Sequence, residues 1–367
     1  MINSDILRSE ERAIFALRSL YGKYGYLPYK MSKFEEYEFY INNKDFLVSD
    51  RIIAFNDTSG KLLALKPDVT LSIVKNAELA EGFKNKVCYN ENVYRVSENT
   101  HQFKEIMQTG VECIGDIGLY DIYEVVLLAA LSLESLAEDF VLEVSHLGIL
   151  SSLLENICGD SEFSQKAIKY ISQKNSHDLA ALCDQFEIEP KKSVMLCEFA
   201  SLYGQRDYVL SKLEEIKDFI SADALGELKN LSAMLKSLSC SEKIVFDFSA
   251  VNDMNYYNGI VFKGFLSGIS QSVLAGGQYD KLLLKMNKKA GAIGFAIYLD
   301  LLEELSSSER GYDVDVLVIC DASTDYALLT KKVNEIINGG QSVSVQSTNT
   351  EKISYKEILD LRGGEDA

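Results

Sequence analysis

A long stretch with few strand signals, residues 149–242, interrupts the chain and constrains its fold more than any other feature. Apolar residues recur there at intervals of three or four, in one stripe from Leu210 to Ile220 and another from Leu225 to Leu238. This spacing places them on one side of a helix. The sequence therefore predicts an all-helical insertion within a core that contains both helices and strands.

The residues that precede the insertion alternate helix and strand signals. Residues 11–24 have apolar side chains at helical spacing, and Gly25 ends this predicted helix. A capping pattern that starts at Asp121 predicts a second helix to about Leu136, and residues 140–144 follow as a strand. The pattern predicts an arrangement of helices packed on a sheet.

Strand signals return after the insertion. Residues 244–248 predict a strand, and residues 260–266 and 270–274 predict a hairpin around a Ser-Gly turn. A different pattern follows the serines at 306–308 and predicts a small β-α-β-α segment. Its strand, helix and second strand are expected at residues 314–319, 324–338 and 342–346, with a last short helix after them.

The composition limits the classes of function. The chain has 55 acidic and 37 basic residues, a formal net charge of −18, and no run rich in Lys and Arg. Nucleic-acid binding gains most of its affinity from Lys and Arg that neutralise phosphates, so this acidity weighs against nucleic acid and favours protein or small-molecule partners. No run of about 18 apolar residues predicts a membrane helix, and the amino terminus lacks a signal-peptide pattern. We therefore expect a cytoplasmic protein that does not bind membranes.

Metal and disulfide chemistry are not indicated. The seven cysteines are scattered and form no CxxC pair, which favours reduced thiols. His101 and His146 have no partner at the spacing of metal ligands. We expect neither a metal nor another cofactor.

Residues 108–114 read as a strand with a polar face. A period of two places Gln108, Gly110 and Glu112 on the same side. Two hydrogen-bonding side chains then flank a glycine, which leaves a gap where a small polar ligand can lie against the backbone. The pattern by itself leaves open a solvent-facing strand with an incidental glycine.

Two other segments carry similar alternatives. Asp68 either caps a helix that has Thr70 in its first turn, or presents with Thr70 a pair of acceptors to a ligand ammonium group. Tyr256 and Tyr257 lie on a predicted loop, where they either pack as aromatic side chains or line a pocket.

Several segments occur in the order and at the distances found in one known family. They are residues 94–95, 108–115, 255–262, 276–280 and 294–296. The Gly-Gly pair at 276–277 by itself leaves open a simple turn. Taken jointly, the segments resemble histidyl-tRNA synthetase over residues 5–148 and 243–305. The resemblance implies an α+β fold of the class II aminoacyl-tRNA synthetase type, an antiparallel sheet flanked by helices.

The same resemblance implies a division into domains. Residues 1–148 and 243–310 would form the synthetase-like core, with residues 149–242 as the helical insertion. Residues 311–367 would form a shortened α/β segment similar to an anticodon-binding domain.

A histidine-binding pocket is also implied by the resemblance. The set of binding residues is implied to be Asp68, Thr70, Gln108, Glu112, Tyr256 and Tyr257. In the family, the positions that match Asp68 and Thr70 hold the ammonium group, although the first is a Glu there. Imidazole would find an acid and phenol hydroxyls as hydrogen-bond partners, and aromatic rings for packing.

The positive charge that adenylate formation requires is largely missing. Arg95 matches a family arginine and is implied to be a remnant of the phosphate and nucleotide pocket. One other family arginine falls near Gln102, with Lys104 close by, and three more fall on Asn252, Gln278 and Leu301. Adenylate formation needs cations on the phosphates and the carboxylate, so we expect no catalytic residues and no enzymatic activity.

A related family combines these features. The regulatory subunits of short-form ATP phosphoribosyltransferase resemble the synthetase without charging tRNA, and their Pro-Asp-x-Thr and Tyr-Tyr-x-Gly-x-x-Phe patterns match residues 67–70 and 256–262. This resemblance implies a homodimer that joins short catalytic subunits in a hetero-octamer. It would activate them in the first step of histidine biosynthesis and help mediate histidine feedback inhibition. The alternatives are an active histidyl-tRNA synthetase and a free-standing histidine-binding or interaction protein.

Overall fold

The computed structural model describes residue 7 and residues 9–47, 52–97, 100–249, 256–305, 312–349 and 352–362. The chain divides into two compact units, Met1–Leu305 and Ser306–Ala367. Each has its own sheet, and each is described separately below.

The first unit holds most of the helices and strands. Its helices are α1 (Ser9–Lys23), α2 (Tyr37–Asn42), α3 (Val69–Asn76), α4 (Leu119–Leu136), α5 (Leu147–Ile157), α6 (Ser161–Ser172), α7 (Ser176–Gln185), α8 (Pro190–Ala200), α9 (Arg206–Glu215), α10 (Ala222–Leu235) and α11 (Asp280–Lys285). Its strands are β1 (Leu27–Pro28), β2 (Phe34–Glu36), β3 (Ala54–Asn56), β4 (Leu62–Leu65), β5 (Lys84–Val96), β6 (Phe103–Gly115), β7 (Phe140–His146), β8 (Tyr203–Gln205), β9 (Ile244–Asp247), β10 (Ile260–Leu266), β11 (Leu274–Gln278) and β12 (Gly291–Tyr298). Short 3₁₀ helices lie at Lys44–Phe46, Lys217–Phe219, Ser241–Lys243 and Leu299–Leu305.

A large sheet organises this unit. Among the described residues, nine strands pair in the order β1-β5-β6-β12-β11-β10-β7-β9-β8. The pairs from β5 to β7 are antiparallel, whereas β1 pairs with β5 and β9 pairs with β7 in parallel. A smaller antiparallel sheet has the order β2-β4-β3. The predicted strands at 108–114, 140–144 and 244–248 are confirmed as parts of β6, β7 and β9.

The large sheet separates two hydrophobic clusters. On β6, Val111 and Cys113 pack into a cluster that includes residues of α1 and α4, whereas Ile114 packs with residues of α3 and α11. Side chains alternate across a strand, so Gln108 and Glu112 lie on the same face as Ile114. The predicted polar face of β6 is therefore turned toward α3 and α11 and away from α4.

Helix α4 packs on the opposite face of the large sheet, and it is apolar on nearly all sides. Val125, Leu128 and Leu133 are fully buried, as expected for a helix that packs on a sheet and beneath other helices. It begins at Leu119, two residues earlier than predicted. Asp121 is not the N-cap residue but lies in the first turn, where its side chain caps the helix. The Asp121 carboxylate accepts a hydrogen bond from the Gly118 N–H at 2.8 Å.

No helix among the described residues has both the length and the apolar character needed to cross a membrane.

Helices α5 to α10 occupy the predicted helical stretch. The stripe predicted from Leu225 onward is confirmed, since Leu228, Leu231 and Leu235 are fully buried in the cluster that includes α4. The expectation of an all-helical segment is wrong at β8, which pairs antiparallel with β9. The edge of the large sheet offers backbone hydrogen bonds that a short polar segment can satisfy without apolar side chains.

The hairpin after the insertion is shifted from its prediction. Strand β10 is confirmed at Ile260–Leu266, but its partner is β11 and not residues 270–274. The pairing places Gly276 opposite Phe262 and Gly277 opposite Val261. The Gly-Gly pair is therefore part of a strand, and the alternative that it forms only a turn is excluded.

The second unit contains β13 (Val314–Ile319), α12 (Tyr326–Asn338), β14 (Val343–Gln346) and β15 (Tyr355–Asp360). Its strands pair in parallel in the order β14-β13-β15. The first three elements confirm the sequence prediction. The predicted last helix is wrong, because β15 instead satisfies the free backbone edge of β13.

Candidate functional site

A single cavity of about 280 Å³ collects the predicted binding residues. Its lining includes Asp68, Thr70, Gln108, Glu112, Tyr256 and Tyr257, together with Arg95. They come from α3, from β5 and β6, and from the segment before β10, which are far apart in sequence. The cavity lies on the face of β6 that carries the predicted polar side chains.

Glu112 lies at the centre of this arrangement. It is buried, and its two carboxylate oxygens accept hydrogen bonds from different hydroxyls. Thr70 donates to Oε1 at 2.7 Å, and Tyr279 donates to Oε2 at 2.5 Å. Burial raises the pKa of Glu112 to about 8, although both hydroxyls lower it and nearby Asp68 raises it further. The carboxyl group is therefore mostly protonated at neutral pH, as long as no cation is beside it.

Asp68 caps a helix, as one of its two alternatives predicted, and it also lines the cavity. As the N-cap of α3, its side chain accepts a hydrogen bond from the Leu71 N–H at 2.8 Å. The same residue lines the cavity, and the first turn of α3 directs Thr70 toward Glu112. Burial raises the pKa of Asp68, while the Leu71 N–H and the Arg95 guanidinium lower it.

The tyrosine pair forms an aromatic wall. The ring centroids of Tyr256 and Tyr257 are 4.7 Å apart in an edge-to-face arrangement, and Tyr256 also packs against Phe46 and Tyr279 at 6.1 and 5.9 Å. Burial raises the pKa of the Tyr256 and Tyr279 hydroxyls well above the usual value. Both phenols therefore remain neutral hydrogen-bond donors at physiological pH. Tyr256 and Tyr257 therefore both line the cavity and pack against each other as aromatic side chains.

Strand β12 approaches Glu112 closely and requires a glycine. Gly294 lies opposite Glu112 in the β12–β6 register, and a Cβ added at Gly294 would lie 1.7 Å from Glu112 Oε2. The gap predicted beside Gly110 is filled, because a Cβ there would lie 2.7 Å from the Tyr89 hydroxyl. The expectation of an open backbone at Gly110 is therefore wrong, and the cavity opens beside Glu112 instead.

Sequence reasoning did not assign several lining residues. Tyr279 is the most consequential, because its hydroxyl donates a hydrogen bond to Glu112 although the two residues are 167 positions apart in sequence. Its position directly after the Gly-Gly-Gln run was the available signal. Asp45, Phe46 and Tyr89 also line the cavity and had no sequence signal that singled them out.

The charges at the cavity favour a cationic ligand. Asp45, Asp68 and Glu112 are acidic, and Arg95 is the one basic residue among the described residues of the lining. The Arg95 Nε donates a hydrogen bond to the carbonyl of Pro67 at 3.0 Å, so part of its guanidinium is already engaged. Asp45 is already paired with Lys285 at 2.8 Å, so an ammonium or imidazolium group would chiefly compensate the two buried carboxyl groups, Asp68 and Glu112.

The positions where arginines were expected have other roles. Gln278 Oε1 accepts a hydrogen bond from the Ile260 N–H at 2.6 Å, which directs this side chain toward β10. Leu301 packs against the hydrophobic cluster that includes α4. Gln102 lies between β5 and β6, where its backbone carbonyl accepts a hydrogen bond from the Ser97 N–H. Asn252 lies outside the described residues.

Known proteins are similar to this chain in sequence and in fold. The family model described as histidyl-tRNA synthetase matches residues 4–302. An ATP phosphoribosyltransferase regulatory subunit from Caldanaerobacter subterraneus subsp. tengcongensis is 30% identical over 287 residues, covering 77% of this chain and 75% of that protein. One from Thermoanaerobacter sp. (strain X514) is 31% identical over 292 residues, with 77% and 75% covered.

Solved structures support the same fold. An ATP phosphoribosyltransferase regulatory subunit/histidyl-tRNA synthetase from Bacillus halodurans aligns with a TM-score of 0.77 and 23% identity, covering 97% of this chain and 94% of that one. A chain of the HisG:HisZ ATP phosphoribosyltransferase complex from Thermotoga maritima aligns with a TM-score of 0.63 and 21% identity, covering 79% and 97%. The predicted fold of the class II synthetase type is confirmed. This chain belongs to the histidyl-tRNA synthetase family and, within it, to the ATP phosphoribosyltransferase regulatory subunits.

Proposed function

We propose that this chain regulates a short-form ATP phosphoribosyltransferase, the enzyme that condenses ATP with phosphoribosyl pyrophosphate in the first step of histidine biosynthesis. It binds the short catalytic subunits, activates them and transmits inhibition by histidine. The observation that carries the proposal is 30% identity, over about three quarters of both chains, to a protein of that name.

Histidine is the ligand that best suits the cavity. Its imidazole would lie beside Glu112, where the acid and the Tyr256 and Tyr257 hydroxyls supply hydrogen bonds and the rings supply packing surface. Its ammonium group would lie near Asp68 and Thr70, at the first turn of α3. A cationic ligand of this size is supported by the acidic lining and by the cavity volume of about 280 Å³. Gln108 adds a polar contact from the same face of β6.

The chain is proposed to lack synthetase activity. Adenylate formation would require cations on the phosphates, and a fixed donor of that kind contributes several kcal/mol, on the order of 3. Gln278 is hydrogen-bonded to β10, and Leu301 packs in a hydrophobic cluster, so neither offers a cation. Arg95 remains as a single guanidinium at the cavity, with its Nε engaged by Pro67.

The assembly is proposed from the family resemblance. Two copies of the chain would form a homodimer through the synthetase-like core. Homodimers would join short catalytic subunits in a hetero-octamer. Histidine would then act by favouring one arrangement of this assembly, a coupling free energy of about 1–3 kcal/mol in typical cases.

Reconstitution tests the proposal directly. The purified chain is mixed with the short catalytic subunit from the same organism, and the rate of ATP condensation is followed with and without histidine. We expect this chain to raise turnover and histidine to lower it. Equal activity with and without the chain, at concentrations where light scattering shows both proteins present, would rule the regulatory role out.

A matched pair of variants tests the cavity. Glu112→Ala removes the buried acceptor of two hydroxyls, so the histidine concentration that gives half-inhibition should rise roughly 5- to 150-fold. Glu198→Ala, at an exposed position on α8, should leave that concentration unchanged. If both variants respond to histidine like the wild type, the ligand acts at another site.

Two further measurements separate the alternatives. Histidine-dependent exchange of pyrophosphate into ATP by the isolated chain would identify an active synthetase. Failure to co-purify with the catalytic subunit, together with histidine binding by calorimetry, would identify a free-standing histidine-binding protein.

A further inference from the structure

A cluster of polar side chains joins two aromatic walls of the cavity. Its members are Asn258, which directly follows the tyrosine pair, and Gln278 and Asp280, which flank Tyr279 in the sequence. The tyrosine pair and Tyr279 line the cavity, whereas the three polar residues do not. The cluster can therefore affect a ligand only through the aromatic residues beside it.

The regular pairing of β10 with β11 ends just after the tyrosine pair. The last pair of this register is Val261 with Gly277. Beyond it, a Cβ added at Gly259 would lie 2.2 Å from Gln278 Oε1, so only glycine leaves room for the Gln278 side chain. The ring of Tyr257 lies against β11, since a Cβ added at Gly277 would lie 2.9 Å from its Cδ1. The position of this ring thus depends on how the segment before β10 is attached to β11.

Gln278 provides two acceptors for that attachment. Its backbone carbonyl accepts a hydrogen bond from the Asn258 N–H at 3.0 Å, and its side-chain Oε1 accepts one from the Ile260 N–H at 2.6 Å. Ile260 is buried, so its N–H needs a partner within the protein. The side chain at position 278 must therefore be an acceptor. Arginine, which the family resemblance places there, has only donors and cannot form this bond.

Asn258 and Asp280 attach the same segment to the start of α11. The Asp280 N–H donates to Asn258 Oδ1 at 2.7 Å, and Asn258 Nδ2 donates to Asp280 Oδ2 at 3.0 Å. The other carboxylate oxygen of Asp280 accepts from the Ala292 N–H at 2.7 Å. Tyr279, the residue before Asp280, donates its hydroxyl to Glu112. These bonds fix the tyrosine pair relative to the residues that contact Glu112.

We propose that Gln278 is a positioning residue for the cavity, which fixes the tyrosine pair at the distance from Tyr279 and Glu112 that histidine requires. This inference rests on the proposed binding of histidine. Without the Gln278 acceptor, β10 would stay in the sheet, because seven residue pairs join it to β7. The segment that carries the tyrosines would lose order, and a ligand would have to restore that order when it binds. Affinity for histidine would fall although the fold is kept.

Isothermal calorimetry with histidine on the full chain tests this role. Gln278→Met keeps the length of the side chain and removes the acceptor, and Gln278→Arg replaces the acceptor by donors. Each should weaken histidine binding about tenfold, because the Ile260 N–H is left without a partner. Gln278→Glu keeps an acceptor at the same position and should restore binding close to that of the wild type. This rescue would not occur if residue 278 only filled space.

Gln205→Met is the matched control. It removes a glutamine hydrogen bond on β8, from Gln205 Nε2 to the Glu242 carbonyl at 3.1 Å, at a position outside the lining. It should bind histidine like the wild type. Urea unfolding checks that each variant is folded. If Gln278→Met and Gln278→Arg do not fold, Asn258→Ala, which removes the side-chain bonds to Asp280, should show the weaker binding in their place.

The proposal is overturned if the folded variants of Gln278, or Asn258→Ala in their place, bind histidine as tightly as the wild type. It is also overturned if Gln278→Glu binds as weakly as Gln278→Met. Both results would leave the histidine cavity itself standing. A wild-type chain that binds no histidine would overturn the histidine cavity together with this inference, whereas reconstitution with the catalytic subunit tests the regulatory role separately.

Discussion

The buried carboxyl of Glu112 makes the stability of the first unit depend on pH. Its hydrogen-bond partners, Thr70 and Tyr279, are both neutral hydroxyls, so no cation among the described residues pairs with its charge. The variant Glu112→Gln keeps the shape of the side chain and removes its ionisable carboxyl group. Both hydroxyls can rotate to accept from the amide as well as donate to it.

The size of the effect follows from the pKa. Below pH 4.5 the carboxyl of Glu112 is protonated in the folded and the unfolded states alike, and above about 8 it is ionised in both. Between these values only the folded state keeps the proton, so the free energy of unfolding falls by about 1.4 kcal/mol per pH unit. The stabilisation is thus fully present at acidic pH and is lost as the pH rises to about 8. The total loss is about 4–5 kcal/mol, and the glutamine variant should not show it.

Urea unfolding followed by far-ultraviolet circular dichroism, at pH 5, 7 and 9, measures this difference. Relative to wild type, Glu112→Gln should gain stability progressively from pH 5 to pH 9, because other titrating groups are common to both proteins. Glu198→Gln, at an exposed position, should show a constant difference. A pH-independent difference between Glu112→Gln and wild type would refute the reasoning.

Three further predictions concern the stability of the first unit. Gly294→Ala should lower the free energy of unfolding by about 3 kcal/mol, because the new methyl group would overlap the Glu112 carboxyl. Gly226→Ala, on α10 with open space around it, should instead raise it by about 0.5–1 kcal/mol in the same urea titration. Lys288→Met should lower the thermal midpoint, with a loss of about 1–2 kcal/mol, because the Lys288 ammonium donates to three carbonyls at the end of α3. Its exposed neighbour provides the control, and a Lys289→Met midpoint as low as that of Lys288→Met would contradict the assignment.

Local periodicity accounts for the parts of the site that could be predicted. Alternation along β6 placed Gln108 and Glu112 on one face without knowledge of the sheet, and the Asp68 cap follows from a local pattern. The bond from Tyr279 to Glu112 joins residues 167 positions apart, and no local pattern encodes such a contact. Residues 355–360 form a strand and not the predicted helix for a related reason, because pairing with the edge of β13 determines their conformation.

The parallel pairing of β7 and β9 determines how the helical segment can be altered. Leu142 pairs with Ile244, so the chain leaves the far end of β7 and must re-enter the sheet near its beginning. A tight turn cannot make that connection, because the return from His146 to the level of Leu142 spans about 13 Å and parallel strands need a crossover of about a dozen residues or more. Helices α5 to α10 can therefore diverge, shrink or be replaced by a single helix, but their outright excision would leave β9 unable to join the sheet. Any minimal version of this protein must retain a crossover at this point.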